Sequence, residues 1–198
     1  MNQTVQTNHS RVGWLKRIPG KSWISILLLI LLLIVTSSQT FWKWMYPIEY
    51  YNEITTVAKE MHADPLLVAA IIRTESKFDE HDVSHAGAVG LMQLMPKTAD
   101  WIAKQAGFSD YHVQSLAQRE VNIRLGSWYI NYLVKMFKGN EYAAIAAYNS
   151  GPNRVKEWLQ SGRWDGTLAG LDHVPVGETR HFVQRVTYNY NIYKKIYK

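Results

Sequence analysis

Asp64-Pro65-Leu66-Leu67-Val68-Ala69-Ala70-Ile71-Ile72-Arg73-Thr74-Glu75-Ser76 is the stretch that decides the fold. Asp64 is a favoured N-cap residue, and Pro65 suits the first helical position, where a missing N–H costs nothing. The spacing predicts a helix from Pro65 to about Ser76, with Leu67, Val68, Ile71 and Ile72 as its buried stripe. Three or four residues further along, that stripe lands on Glu75. A carboxyl group is thus expected on an apolar face at the last turn of a helix. Burial disfavours its charged form, and the negative end of the helix pushes its pKa the same way, upward. The competing reading pairs Glu75 with Arg73 or Lys77, or leaves it in solvent. Those neighbours are two residues away and project off the stripe.

Working outward, the pattern predicts further helices and little strand. They span Glu49 to Met61, Lys97 to Gln105, Arg119 to Phe137, Glu141 to Asn149, Arg154 to Gln160 and Glu178 to Tyr197. Gly107, Gly139 and Gly151-Pro152 stop three of them. His81 to Gly90 reads as a loop. Gly162 to Gly177 reads as a loop with room for short extended pieces. The expected class is mainly α.

The chain has 198 residues and a net charge of +6. Arg11, Lys16, Arg17, Lys21 and Lys43 precede the first acidic residue, Glu49, so the surplus charge sits in the N-terminal part. The remainder is nearly neutral, which argues against a nucleic-acid partner. Cysteine is absent, which excludes disulfides, thiol nucleophiles and Cys-ligated zinc. None of the seven histidines forms an H-E-x-x-H cluster, and no metal or cofactor is expected.

Trp23 to Val35 is an almost unbroken apolar run. It is short of the ~20 residues of a spanning helix, but the stretch from Trp23 to Trp42 is long enough. Trp23, Phe41, Trp42 and Trp44 suit a membrane interface. Thr36-Ser37-Ser38 is a poor signal-cleavage site, so an uncleaved signal anchor is favoured over a secreted form. The expected organisation is a cytoplasmic basic tail (1–22), a transmembrane anchor (23–44) and an external domain (46–198).

Glu75-Ser76-Lys77-Phe78, followed by Gly87-Ala88-Val89-Gly90-Leu91-Met92-Gln93-Leu94-Met95-Pro96-Lys97-Thr98-Ala99, resembles the soluble lytic transglycosylase family, related in fold to goose-type lysozyme. Asn122 to Tyr129, Ala146-Ala147-Tyr148-Asn149-Ser150-Gly151-Pro152, and Glu178 to Val183 with Tyr190 match further motifs in order. The resemblance implies a lysozyme-like helical domain acting on peptidoglycan. It implies Glu75 as acid/base and Ser84 near the substrate's acetamido group. It also implies Gln93 and Met95 lining the groove, Tyr148 and Asn149 beside the scissile bond, Glu178 as a buried glutamate near the site, and Tyr190 facing the groove. Ser150, Phe182 and Thr187 depart from the family's usual Ala, Tyr and Leu.

Other readings of these residues are structural. Met92 and Met95 suit a core, Gly87 and Gly90 a turn, and Glu178 a helix N-terminus. Trp128 and Tyr129 are expected to pack the long helix. Trp101, Tyr132, Trp158 and Trp164 are open to either packing or stacking on sugars. Asp79, Glu80 and Asp82 are candidates for a second carboxylate, in a stretch expected to be exposed. The implied reaction uses Glu75 alone and ends in a 1,6-anhydro-MurNAc. A lysozyme-like hydrolase and a non-catalytic peptidoglycan-binding protein are the alternatives.

Overall fold

A computed structural model describes residues 20–197 of the chain. They divide into two compact units, one ending at Trp44 and the other beginning at Met45. The basic residues Arg11, Lys16 and Arg17 of the expected cytoplasmic tail lie outside the described residues.

In the first unit, α1 (Gly20–Ser37) breaks at Ser38 and α2 (Gln39–Met45) follows, with a bend of 70° between them. The break falls where the apolar run gives way to Thr36-Ser37-Ser38. The Thr36 and Ser37 hydroxyls donate to the carbonyls of Leu32 and Ile34, at 2.8 and 2.9 Å. The Trp42 indole N–H donates to the Thr36 carbonyl at 2.6 Å. Hydroxyls that bond back to the chain in this way bend helices. Among the described residues no single helix is long and apolar enough to cross a membrane, although the bent pair together is. Every residue from Trp23 to Val35 is exposed.

The second unit is helical. It comprises α3 (Tyr51–Glu60), α4 (Pro65–Glu75), α5 (Pro96–Ala106), α6 (Arg119–Met136), α7 (Glu141–Ser150), α8 (Pro152–Gln160) and α9 (Gly177–Ile196). Helix α4 starts as its sequence predicts. The Asp64 carboxylate accepts from the amides of Leu66 and Leu67. The helix is more deeply set than a one-sided stripe requires, because Leu67 through Ile72 are all buried. It packs against α9, α3 and α6, while α7 fills the space between α6 and α9. Alanines make that close approach possible, since Ala143, Ala144, Ala146 and Ala147 of α7 are fully buried.

The expected loop between α4 and α5 carries two isolated antiparallel bridges, Val83 with Val89 and Val89 with Leu94. The 162–177 segment forms no strand; it carries a short 3-10 turn, Leu171–His173, with extended backbone at Val174 and Val176. Trp158 and Trp164, left open by the sequence, are core residues at 2% and 1% exposure.

Candidate active site

Glu75 closes α4. The chain then turns sharply, with Lys77 and Phe78 both at positive φ (54° and 69°), a conformation that costs non-glycine residues about 1–3 kcal/mol each. Two anchors hold this turn. Phe78 is buried, and the buried Ser76 hydroxyl donates to the Leu91 carbonyl at 2.9 Å. The chain therefore leaves the helix end along a fixed path, and Glu75 stays at the edge of a cleft.

The far wall of the cleft is the 83–95 loop. Gly87 (φ 84°) and Gly90 (φ 76°) take up its left-handed turns. At Gly90 a Cβ would lie only 2.7 Å from Asn122 Nδ2, so glycine is required there for space as well as for backbone freedom. Asn122, wholly buried on α6, fastens the loop. Its Oδ1 accepts from the Met92 amide at 2.8 Å, and its Nδ2 donates to the carbonyls of Val89 and Leu116 at 2.9 and 3.1 Å. The Gln93 amide ties the loop across itself, donating to the carbonyls of Asp82 and Gly90 at 3.1 and 2.9 Å.

The resulting cleft, about 480 Å³, is lined by Glu75, Ser84, Gln93, Met95, Tyr148, Asn149 and Glu178 among others. Seven of the eight residues expected at the site thus meet in one place. Tyr190 does not join them. It is buried on α9, and its hydroxyl donates to Asp64 Oδ2 at 2.6 Å, so it ties α9 to the cap of α4. Glu178 is exposed rather than buried. Met92 is core, while Met95 is 40% exposed and lines the cleft.

The electrostatics single out Glu75. Its pKa is raised from 4.5 to about 8, chiefly by desolvation; Arg185 opposes the shift, and Glu178 and Asp82 add to it. Neither neighbour from the competing reading pairs with it: Lys77 is exposed, and the Arg73 guanidinium sits over the Tyr46 ring, 5.6 Å from its centroid. Tyr148 donates its hydroxyl to the Met92 carbonyl at 2.8 Å and stacks on Phe182 at 6.4 Å. Burial and the nearby Glu75 push its pKa well above 10, so the phenol is neutral. Asn149 is held from both ends. Its Oδ1 accepts from the buried Thr179 hydroxyl at 2.7 Å, and its Nδ2 lies 3.4 Å from the Glu178 carboxylate.

Several of these contributors are invisible to sequence spacing. Asp82 is half-buried, contrary to expectation, and acts on Glu75 through its charge. Arg185, Thr179 and Phe182 reach the site from α9, and Tyr129 from the floor. The helical register of α9 carries the one usable signal, because 178, 182 and 185 fall on one face. A larger hollow of about 650 Å³, lined by Asp100, Lys104, Phe108, Tyr111 and His112 among others, lies apart from Glu75. It holds none of the expected site residues.

The family model for the transglycosylase SLT domain matches residues 53–168, more than half of the chain. The chain belongs to this family. The soluble lytic murein transglycosylase of Salmonella typhimurium is 36% identical to it over 144 residues, covering 71% of this chain. The membrane-bound lytic murein transglycosylase C of Actinobacillus pleuropneumoniae is 30% identical over 126 residues, covering 59% of this chain and 34% of its own length. The crystal structure of the 70 kDa soluble lytic transglycosylase of Escherichia coli superposes with a TM-score of 0.74 at 29% identity, over 79% of this chain and 26% of that one. An inactive glutamate-to-glutamine mutant of the lytic transglycosylase Slt of Pseudomonas aeruginosa matches at 0.69 and 34% identity, over 78% and 25% of the two chains. This SLT-domain chain spans about a fifth of the length of the Salmonella relative. Its second unit has the mainly helical, lysozyme-like architecture of those enzymes, without a sheet among its described residues.

Proposed function

We propose that the 46–198 domain is a peptidoglycan lytic transglycosylase. It cleaves the β-1,4 bond between MurNAc and GlcNAc and leaves a 1,6-anhydro-MurNAc end. One observation carries the reading: the Glu75 carboxyl is desolvated on the wall of a cleft, with its pKa raised to about 8. A group that keeps its proton near neutral pH is suited to general-acid work on a glycosidic oxygen. Support also comes from the relatives, which are lytic murein transglycosylases by name, and from the inactive Pseudomonas mutant, in which a glutamate is replaced by glutamine.

In the first step Glu75 gives its proton to the glycosidic oxygen, and the C1–O bond breaks. The acetamido group of MurNAc, near Ser84, stabilises the cationic C1. The Glu75 carboxylate then removes the proton from the sugar's C6 hydroxyl as that oxygen bonds to C1. Water is not consumed, and Glu75 regains its proton for the next turnover. Asn149 is pre-oriented by Thr179 and Glu178 to hold the ring. The Tyr148 phenol is a neutral neighbour that does not compete for the proton. Gln93 and Met95 line the strand's path.

The first unit, with its exposed apolar α1, anchors the domain to a membrane as a single pass. The basic tail stays in the cytoplasm and the domain faces the wall. A relative named as a membrane-bound lytic murein transglycosylase supports a membrane location.

The test is mass spectrometry of purified cell wall digested with the parent chain and with Glu75→Gln. The parent yields anhydro ends, and the variant yields none while still binding glycan. Reducing ends from the parent would establish a hydrolase instead. Wall left intact by the parent, or a variant as active as the parent, would overturn the catalytic assignment.

A further inference from the structure

One aromatic cluster is not accounted for by the chemistry at Glu75. Trp101 on α5 is 38% exposed, unlike Trp158 and Trp164, which are sealed in the core. Its ring lies 5.5 Å from Tyr132 and 6.4 Å from Trp128, and those two rings stack on each other at 5.2 Å with 11° between their planes. Trp128 and Tyr132 are both partly open to solvent, so the sequence expectation that Trp128 is core packing holds only in part.

The cluster continues the cleft. Met95 and Thr98 line the cleft, and Trp101 follows at the same three-residue interval along α5. The interval advances along a helix by about 4.5 Å, close to the length of a sugar ring. From the other side, Tyr129 lines the cleft floor and its ring is 6.1 Å from that of Trp101. An aromatic path therefore runs from Tyr148 through Tyr129, 5.4 Å away, out to Trp101.

We propose that Trp101, braced by the Trp128–Tyr132 stack, is a glycan-binding platform that takes a sugar of the strand beyond those held beside Glu75. The proposal rests on the reading of the cleft as a glycan site. Pyranose rings carry apolar C–H faces whose hydrogens match the negative face of an indole, while indole N–H and phenol O–H groups suit sugar hydroxyls. A peptide stem rich in carboxylates would call for cations instead. The platform gives the domain a grip on long strands that short fragments do not share.

The test is calorimetric titration of the full chain in detergent, carrying Glu75→Gln so that nothing is cleaved, with chitotetraose and chitooctaose. Trp101→Ala should weaken the longer ligand about fivefold and the shorter one much less. Trp101→Phe should recover most of the loss, and Tyr132→Ala should reproduce part of it. Thermal melts separate unfolding from lost stacking, and Trp101→Phe decides the matter if the alanine variant fails to fold. Equal affinity of Trp101→Ala and its background for the longer ligand, or equal losses for both lengths, would overturn the platform. Binding is read here without turnover. Failure of cleavage by the parent would therefore sink the catalytic reading and leave a length-dependent loss as support for the platform.

Discussion

At the scale of the residue, the raised pKa of Glu75 carries a cost in stability. Its carboxyl prefers the proton in the folded state up to about pH 8, whereas in the unfolded chain it ionises near 4.5. Between those values the unfolded state binds fewer protons, so stability falls as pH rises through the window. Below it the cost is absent, and above it the cost is complete. Glu75→Gln removes the group that must ionise. The Tm of the variant is therefore expected to exceed that of the parent by a margin that widens between pH 5 and pH 9, followed by calorimetry at both ends. A margin independent of pH would mean that Glu75 ionises normally in the fold. The placement of Glu75 is legible in the sequence, because Asp64-Pro65 fixes where α4 starts and the stripe fixes which face the carboxyl shares. Its electrostatic partners are not, because Asp82 and Arg185 reach it through a loop path and a helix packing that no local pattern encodes.

At the scale of the element, the 83–95 loop depends on one side chain 30 residues downstream of Met92. Asn122→Ala removes three hydrogen bonds and takes the partner from the buried Met92 amide and the Leu116 carbonyl, while the Val89 carbonyl keeps only the Leu94 amide. A loss of about 3 kcal/mol in urea unfolding is expected, with a slower cleavage rate because Gln93 and Met95 drift from the cleft. Arg124→Ala is the control. Its ion pair with Asp110 is solvent-exposed, and removing it should leave the urea midpoint almost unchanged. The helices themselves are legible. Asp64-Pro65, Gly107 and Gly151-Pro152 punctuate the chain where caps and stops are observed. The packing role of Tyr190 is not legible, because the periodicity of α9 shows which residues are apolar but not which helix each one meets. Tyr190 meets Asp64, 126 positions away, and serves the packing of α9 on α4.

At the scale of the whole molecule, the helical domain is a unit by contact. Its N-terminal edge is clasped to its end: the Tyr197 hydroxyl donates to the Tyr46 carbonyl at 3.0 Å and accepts from the Ile48 amide at 3.1 Å. A chain starting at Met45 is thus expected to fold and melt cooperatively without the apolar helices. A chain starting at Tyr51 loses the clasp and the buried Ile48, and its Tm should drop by roughly 5 °C. Equal melting temperatures would show that the clasp is idle. The division near residue 45 is legible from the charge imbalance, because no acidic residue precedes Glu49. The break at Ser38 follows from hydroxyls that composition treats merely as polar.

The central claim is that one carboxyl keeps its proton in the cleft near neutral pH. Carbon NMR of the Glu75 side-chain carboxyl, assigned by its disappearance in Glu75→Gln and followed from pH 3 to pH 10, measures this directly. The account predicts a titration midpoint of about 8. A midpoint near 4.5, the ordinary value for glutamate, would contradict it.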